Sequence, residues 1–183
     1  MGVEYKFFTR WRLHGTVKEV SDILDDPLAL PRWWPSVYLE VHELASGDPV
    51  THVGRKINLY TKGWLPYTLR WRFTVTESRP DGFALTAEGD FVGRGLWHFT
   101  QDRDMVDITY DWRISAEKPL LKYGSLIMRP LFAANHRWAM EKGVESLELE
   151  LRRRRATSED ERRLVPNPPR PTFVNPRNLG SDL

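Results

Sequence analysis

Cysteine is missing from all 183 residues. That one absence excludes disulfides, thiolate metal sites and a cysteine nucleophile. Net charge is nearly missing as well: 27 basic against 25 acidic side chains leave +2, no field that would announce a nucleic acid or an anionic membrane as partner. Long apolar runs are lacking, since none approaches the roughly 20 residues that cross a bilayer. The opening MGVEYKFFTRWRL has no apolar h-region, and Lys6 stands where a myristoylation signal needs Ser or Thr. A cytoplasmic protein without an integral membrane segment is expected. His14, His42, His52, His98 and His136 show no close pairing at ligand spacing, so no metal is expected. A nucleophile elbow and a Walker loop are also absent, and Gly93–Arg94–Gly95 leads into a strand rather than a helix, so no nucleotide cofactor is expected.

Aromatic rings are what the chain has in abundance. Eight Trp, eight Phe and six Tyr make up 12% of it, which calls for either a bulky core or a cavity walled with rings. The length suits one domain of about 150 residues with an extension. Residues 1–155 are expected to form the domain. Residues 156–183 read as a proline-rich tail without periodicity, carrying Pro166, Pro168, Pro169, Pro171 and Pro176. Leu164, Val165, Phe173 and Val174 give that tail something to bury, and Trp138, on the outer side of the last helix, gives it a place to fold back. The basic run Arg152 to Arg155 reads as a solvated helix end whose cations suit the C-terminal dipole.

Residues 4 to 14 alternate, with Tyr5, Phe7, Trp11 and Leu13 on one face and Phe8 and Thr9 as exceptions. Gly15 ends this strand. Thr16 with Glu19 makes a capping box for a short helix, and Asp26 before Pro27 starts a second. Six further strands follow at about 37–44, 53–61, 67–77, 83–88, 91–100 and 105–115, joined by short turns that imply antiparallel hairpins. Leu69, Trp71, Phe73 and Val75 share a face, as do Trp97 and Phe99, and Val106, Ile108, Tyr110, Trp112 and Ile114. One side of the sheet is therefore aromatic and the other wet. Gly89, Gly93 and Gly95 suggest bulges that let the sheet bend.

The last element is the longest. With Pro130 as a break, a helix is expected from Leu131 to about Arg153, roughly 33 Å at about 1.5 Å per residue. Met128, Phe132, His136, Ala139, Met140, Gly143, Leu147 and Leu151 lie along its dry stripe, with His136 the single ionisable group among them. This helix is expected to cross the sheet, with the site in the space between.

Six segments in order carry a resemblance: WRLHGTVKEVSDILDDP, RWWPSV, TKGWLPYTLRWRFTVTE, AEGDFVGRGLWHF, ITYDWRI and FAANHRWAMEKGVESL. Across about residues 3 to 152 the chain resembles the START-related helix-grip (SRPBCC) superfamily, in its polyketide cyclase/dehydrase and lipid-transport branch. The resemblance implies an α+β helix-grip fold: a seven-stranded antiparallel sheet curved around a long C-terminal helix, two short helices after strand one, and an apolar pocket between. Members include carriers, cyclases and receptors, and no catalytic motif carries over.

Three readings follow. In the first the chain binds an apolar or aromatic small molecule, such as a lipid, quinone or polyketide-like compound. Trp34, Trp71, Phe73, Trp97, Phe99, Tyr110, Trp112, Phe132, His136 and Met140 are the expected contacts. In the second the same pocket serves a cyclase/dehydrase-type enzyme, with His136 or Tyr110 moving a proton. In the third the chain is an interaction module, and the tail makes a protein contact. Arg32, Trp33 and Trp34 fall at the expected pocket mouth, where two adjacent indoles on an extended chain cannot both point inward, so one is a candidate lid. Gly63 to Tyr67 reads as a second rim loop with Trp64 as a candidate exposed contact.

Overall fold

The computed structural model describes residues 4–116 and 125–172. In chain order it contains β1 (Glu4–His14), α1 (Val17–Leu24), a 3₁₀ turn (Pro27–Ala29), α2 (Leu30–Trp33), β2 (Tyr38–Ala45), β3 (Lys56–Lys62), β4 (Thr68–Arg79), β5 (Gly82–Gly89), β6 (Phe91–Asp102), β7 (Met105–Ala116), α3 (Ser125–Arg155) and α4 (Glu159–Leu164). The strands form one seven-stranded antiparallel sheet in the order β1-β7-β6-β5-β4-β3-β2. Consecutive strands from β2 to β7 are neighbours, as short turns demand. β1 closes the far edge beside β7, so α1, the 3₁₀ turn and α2 carry the chain from one edge of the sheet to the other.

Local chemistry accounts for these elements. Thr16 accepts from the Glu19 backbone N–H at 3.2 Å while Glu19 accepts from the Thr16 N–H at 2.8 Å, completing the capping box. In β1 the alternation is stricter than the residue types suggest. Thr9 takes its place on the inner face with Tyr5, Phe7, Trp11 and Leu13, while Phe8 faces out and is 59% exposed. The pleat, not hydrophobicity, sets the face.

Two expectations about backbone breakers need correction. Gly93 and Gly95 do not form bulges, because β6 pairs with β7 in unbroken register. The irregularities lie instead in β2, between Tyr38 and Glu40 and between Glu43 and Ala45, and in β4 between Val75 and Glu77. Gly95 is needed for room: a Cβ there would sit 2.8 Å from the Tyr110 hydroxyl and 2.9 Å from the Trp112 ring. The second correction concerns α3, which begins at Ser125 and runs through Pro130. Proline removes one N–H, and here it does so in the second turn, on an exposed residue where water can satisfy the freed carbonyl.

α3 lays its stripe onto the inner face of the sheet. Phe132, Met140, Leu147 and Leu151 are buried in one cluster with Trp11, Leu69, Trp97, Ile108 and Trp112. The Met128 side chain lies outside the described residues. The far end of α3 is exposed, as the reading of the Arg run expected, and is also tied down by charge. Arg155 donates to both Glu19 oxygens at 2.7 and 2.9 Å, Arg154 to Glu150 at 2.9 Å and to the Asp22 carbonyl, and Arg153 to the Pro166 carbonyl. The Arg155 hydrogen bonds hold the Glu19 carboxyl down at about 2.

Candidate functional site

Two cavities that share a wall lie against the inner face of the sheet, one under α3 and one beside it that touches α3 at Met140. The smaller, about 130 Å³, is bounded by β1, β3, β4, β6, β7 and α3, so the sheet must curl around the helix to enclose it. The larger, about 270 Å³, lies toward α1, the β2–β3 connection and the β4–β5 turn. All ten residues expected from the sequence line one or both. Trp112, Phe132 and His136 face the smaller cavity, and Phe73, Trp97 and Phe99 the larger. Trp34, Trp71, Tyr110 and Met140 belong to both, together with Tyr38.

Ring stacking builds the wall. Tyr110 lies parallel to Trp97, with centroids 4.1 Å apart and an interplanar angle of 17°, and continues onto Trp112 at 5.6 Å and 20°. Register explains this, since Trp97 pairs with Tyr110 across β6 and β7 while Gly95 leaves a gap into which the Tyr110 ring leans. Trp71 is oriented by its indole N–H, which donates to Thr61 Oγ1 at 3.0 Å.

Trp33 and Trp34 both point inward, 0% and 2% exposed. The lid expectation assumed extended backbone, whereas Leu30–Trp33 is helical and Trp34 caps it. Helical backbone lets neighbouring side chains converge on one core; the two indoles sit 5.5 Å apart. Trp34 then packs on Gly143 of α3 so closely that a Cβ at Gly143 would meet its ring at 2.3 Å. A charged tie holds α2 in this position. Arg32 reaches both carboxylate oxygens of Glu150 at 2.8 and 2.7 Å, and Glu150 is only 1% exposed. Burial pushes the Glu150 pKa up, but hydrogen bonds from Arg32 and Arg154 outweigh it and leave the carboxyl below its usual range. Glu150 escaped the sequence reading because its partner Arg32 is far away in the chain.

Three buried polar atoms on the smaller cavity's residues have no protein partner among the described residues: Tyr5 Oη, Trp34 Nε1 and His136 Nε2. His136 is stacked on Phe7 at 4.1 Å and 17°, and burial lowers its pKa to about 4. At neutral pH it is an uncharged imidazole with one ring nitrogen unclaimed. Burial likewise raises the pKa of the Tyr5 phenol, against a smaller opposing effect of Arg129, and pushes Tyr67 up to about 12. Tyr38 and Tyr110 also rise through burial, so these phenols stay protonated. The smaller cavity can therefore offer neutral hydrogen bonds, with no carboxylate among its described lining residues.

Sequence reasoning missed Tyr5, Phe7, Tyr38, Lys62 and Asn135 on this wall. Tyr5 and Phe7 were detectable, since they alternate with the wet face of β1. Lys62 gave no signal: a lysine at a strand end reads as solvated, yet it is 8% exposed and donates to the Thr172 carbonyl of the tail. Burial lowers its pKa. Trp64, the candidate exposed contact, is half-buried against the core, because Asn135 accepts from the Leu65 N–H at 3.2 Å and draws the rim loop inward. The tail continues from α4 through buried Val165, and Thr172 also donates to the Gly63 carbonyl at 3.2 Å. Leu164 is 80% exposed rather than buried, and Phe173 and Val174 lie outside the described residues. Among the described residues no cluster of His, Asp and Glu could hold a metal, and no helix is long and apolar enough to cross a membrane.

This is a helix-grip α+β fold, and the chain matches SRPBCC helix-grip proteins in structure. One match is the protein TTHA0849 from Thermus thermophilus, with a TM-score of 0.64 at 14% identity, covering 83% of this chain and 100% of that one. Another is the Zhui aromatase/cyclase from Streptomyces sp. R1128, with a TM-score of 0.63 at 16% identity over 86% and 99% of the two chains. A third is norcoclaurine synthase from Thalictrum flavum in complex with dopamine and hydroxybenzaldehyde, with a TM-score of 0.54 at 15% identity over 81% and 88%. At such identities the likeness establishes the fold. No family model matches the sequence, and no curated protein matches it.

Proposed function

We infer that the chain binds an apolar, ring-containing small molecule between α3 and the sheet. One observation carries this reading: a hollow walled by stacked rings lies under α3, and three residues of its lining, Tyr5, Trp34 and His136, each carry a buried polar atom without a partner among the described residues. An unpaired buried donor or acceptor costs about 1–3 kcal/mol, a cost that a ligand carrying hydroxyl or carbonyl oxygens would relieve once these side chains turn to meet it. Burying roughly 300 Å² of apolar ligand surface contributes about 7 kcal/mol before the costs of binding, a gain that requires no ion pair. The matched structures, an aromatase/cyclase and an enzyme holding dopamine and hydroxybenzaldehyde, agree with an aromatic occupant.

His136 favours a second reading, a cyclase/dehydrase-type enzyme in the same cavity. A neutral imidazole on the cavity lining, stacked on Phe7, supports it; with a pKa held at about 4 the group is a weak base, so proton transfer would require a ligand whose contact raises it. The reading in which the tail captures a protein partner has less support, since the described tail is engaged by the chain's own Lys62, Gly63 and Arg153.

Native mass spectrometry of the purified chain tests the first reading. A co-purified apolar compound released on denaturation is expected. A bare mass, together with no tryptophan quenching by any of a panel of hydrophobic aromatics, would sink it.

A further inference from the structure

The two cavities meet along a seam of four rings and one thioether: Trp34, Tyr38, Trp71, Tyr110 and Met140. The rings are held by stacking and by the Trp71 to Thr61 hydrogen bond. Met140 is different in kind, an unbranched chain with three rotatable bonds that can change rotamer and leave an opening.

Size then decides what fits. An apolar cavity of about 150 Å³ holds one benzene ring, so the smaller lobe, at about 130 Å³, takes at most a single ring. The larger, at about 270 Å³, has room for about two by the same measure. Pockets for drug-sized molecules start near 300 Å³, above either lobe alone. The two ends also differ in chemistry. Around the inner lobe stand Tyr5, Phe7 and His136, with no carboxylate among its described lining residues. At the end of the larger lobe toward α1 and the β2–β3 connection stand Asp22, Asp25, His52, Arg55 and Arg79. Arg55 is spoken for by Glu43 at 2.8 Å and by the Asp25 carbonyl at 2.9 Å. Two carboxylates against two guanidinium groups make an end that is polar without strong net charge.

We propose that the two cavities are halves of one bipartite site whose ligand is an elongated, multi-ring or rod-shaped apolar molecule lying across the Met140 seam. One ring enters the inner lobe beside His136. The remainder fills the outer lobe, with an uncharged polar end, a hydroxyl or carbonyl, toward Asp22, Asp25, Arg55 and Arg79. This rests on the preceding reading that the space under α3 takes a small apolar molecule.

Two probes and two plugs test it. The rod-shaped fluorophore diphenylhexatriene reports binding by its emission, and p-cresol, a single ring, is followed by calorimetry. Ala139 lines only the inner lobe and Val75 only the outer, so Ala139→Phe and Val75→Phe each fill one half. Each plug is expected to weaken diphenylhexatriene at least tenfold. Ala139→Leu and Val75→Ile serve as smaller plugs where melting shows that an aromatic variant has not folded. Rod affinity unchanged by either plug overturns the bipartite site, while p-cresol binding to the unmodified chain keeps the cavity reading alive. Failure of both probes to bind the unmodified chain overturns both.

Discussion

At the scale of single residues, His136 and Gly143 make the sharpest predictions. His136 is held below its unfolded value, at about 4 instead of 6.5. Between those values the unfolded chain binds the proton and the folded chain does not, so this residue's contribution to stability falls as pH drops from about 6.5 toward 4. The urea midpoint is expected to decline through that window, and more gently in His136→Phe, which keeps an aromatic ring on Phe7. An identical decline in both proteins would show that other groups are responsible. Gly143→Ala drives a methyl into the Trp34 ring, 2.3 Å from the nearest carbon. It is expected to lose about 1–3 kcal/mol by thermal or denaturant unfolding. A variant as stable as the parent would mean that Trp34 moves freely, which would also deny it a place as a rigid wall.

At the scale of elements, α2 is too short to hold itself, and its position depends on the fork of Arg32 on Glu150. Arg32→Met removes two charge-assisted bonds and leaves Glu150 with Arg154 and Arg153. A loss of about 1–3 kcal/mol is expected, with a change in near-ultraviolet circular dichroism, because Trp33 and Trp34 ride on this segment. An unaltered aromatic spectrum would show that α2 is placed by packing alone. The strands were readable because side-chain alternation is a local property of the pleat. Leu69, Trp71, Phe73 and Val75 declare their face without any knowledge of the neighbours. The two indoles were misread because local conformation decides whether adjacent residues diverge or converge, and no periodicity distinguishes four helical residues from a loop. Glu150 could not be read at all, since a glutamate on a helix looks solvated until a distant arginine covers it.

At the scale of the whole molecule, the tail bears on the site. Thr172 reaches Lys62 and Gly63, both on the wall of the inner lobe. Ending the chain at Ala156 is expected to leave the helix-grip domain folded but with a lower melting temperature. Hydrogen exchange at residues 63–67 should speed up, as the carbonyl over Lys62 and the hydroxyl over Gly63 are lost. Exchange rates in that loop identical to those of the full chain would show that the tail lies against the inner lobe's wall without steadying it. Collapse of the truncated chain would place the domain boundary further along than Ala156.

Sequence alone determined the seven strands, the hairpin succession of the last six, the aromatic face, the long helix and the stripe that carries His136. Each follows from the spacing of residue types along a regular backbone, with no reference to anything distant. The tertiary structure alone decided that the hollow is double, that Met140 stands at the seam, that Lys62 is buried under the tail and that three residues of the smaller cavity's lining carry buried polar atoms unpaired among the described residues. A cavity is the small difference between surfaces contributed by segments far apart in the chain. Its volume and its unpaired atoms come into being only when those segments are packed together, at distances of a few ångströms that no one-dimensional pattern encodes.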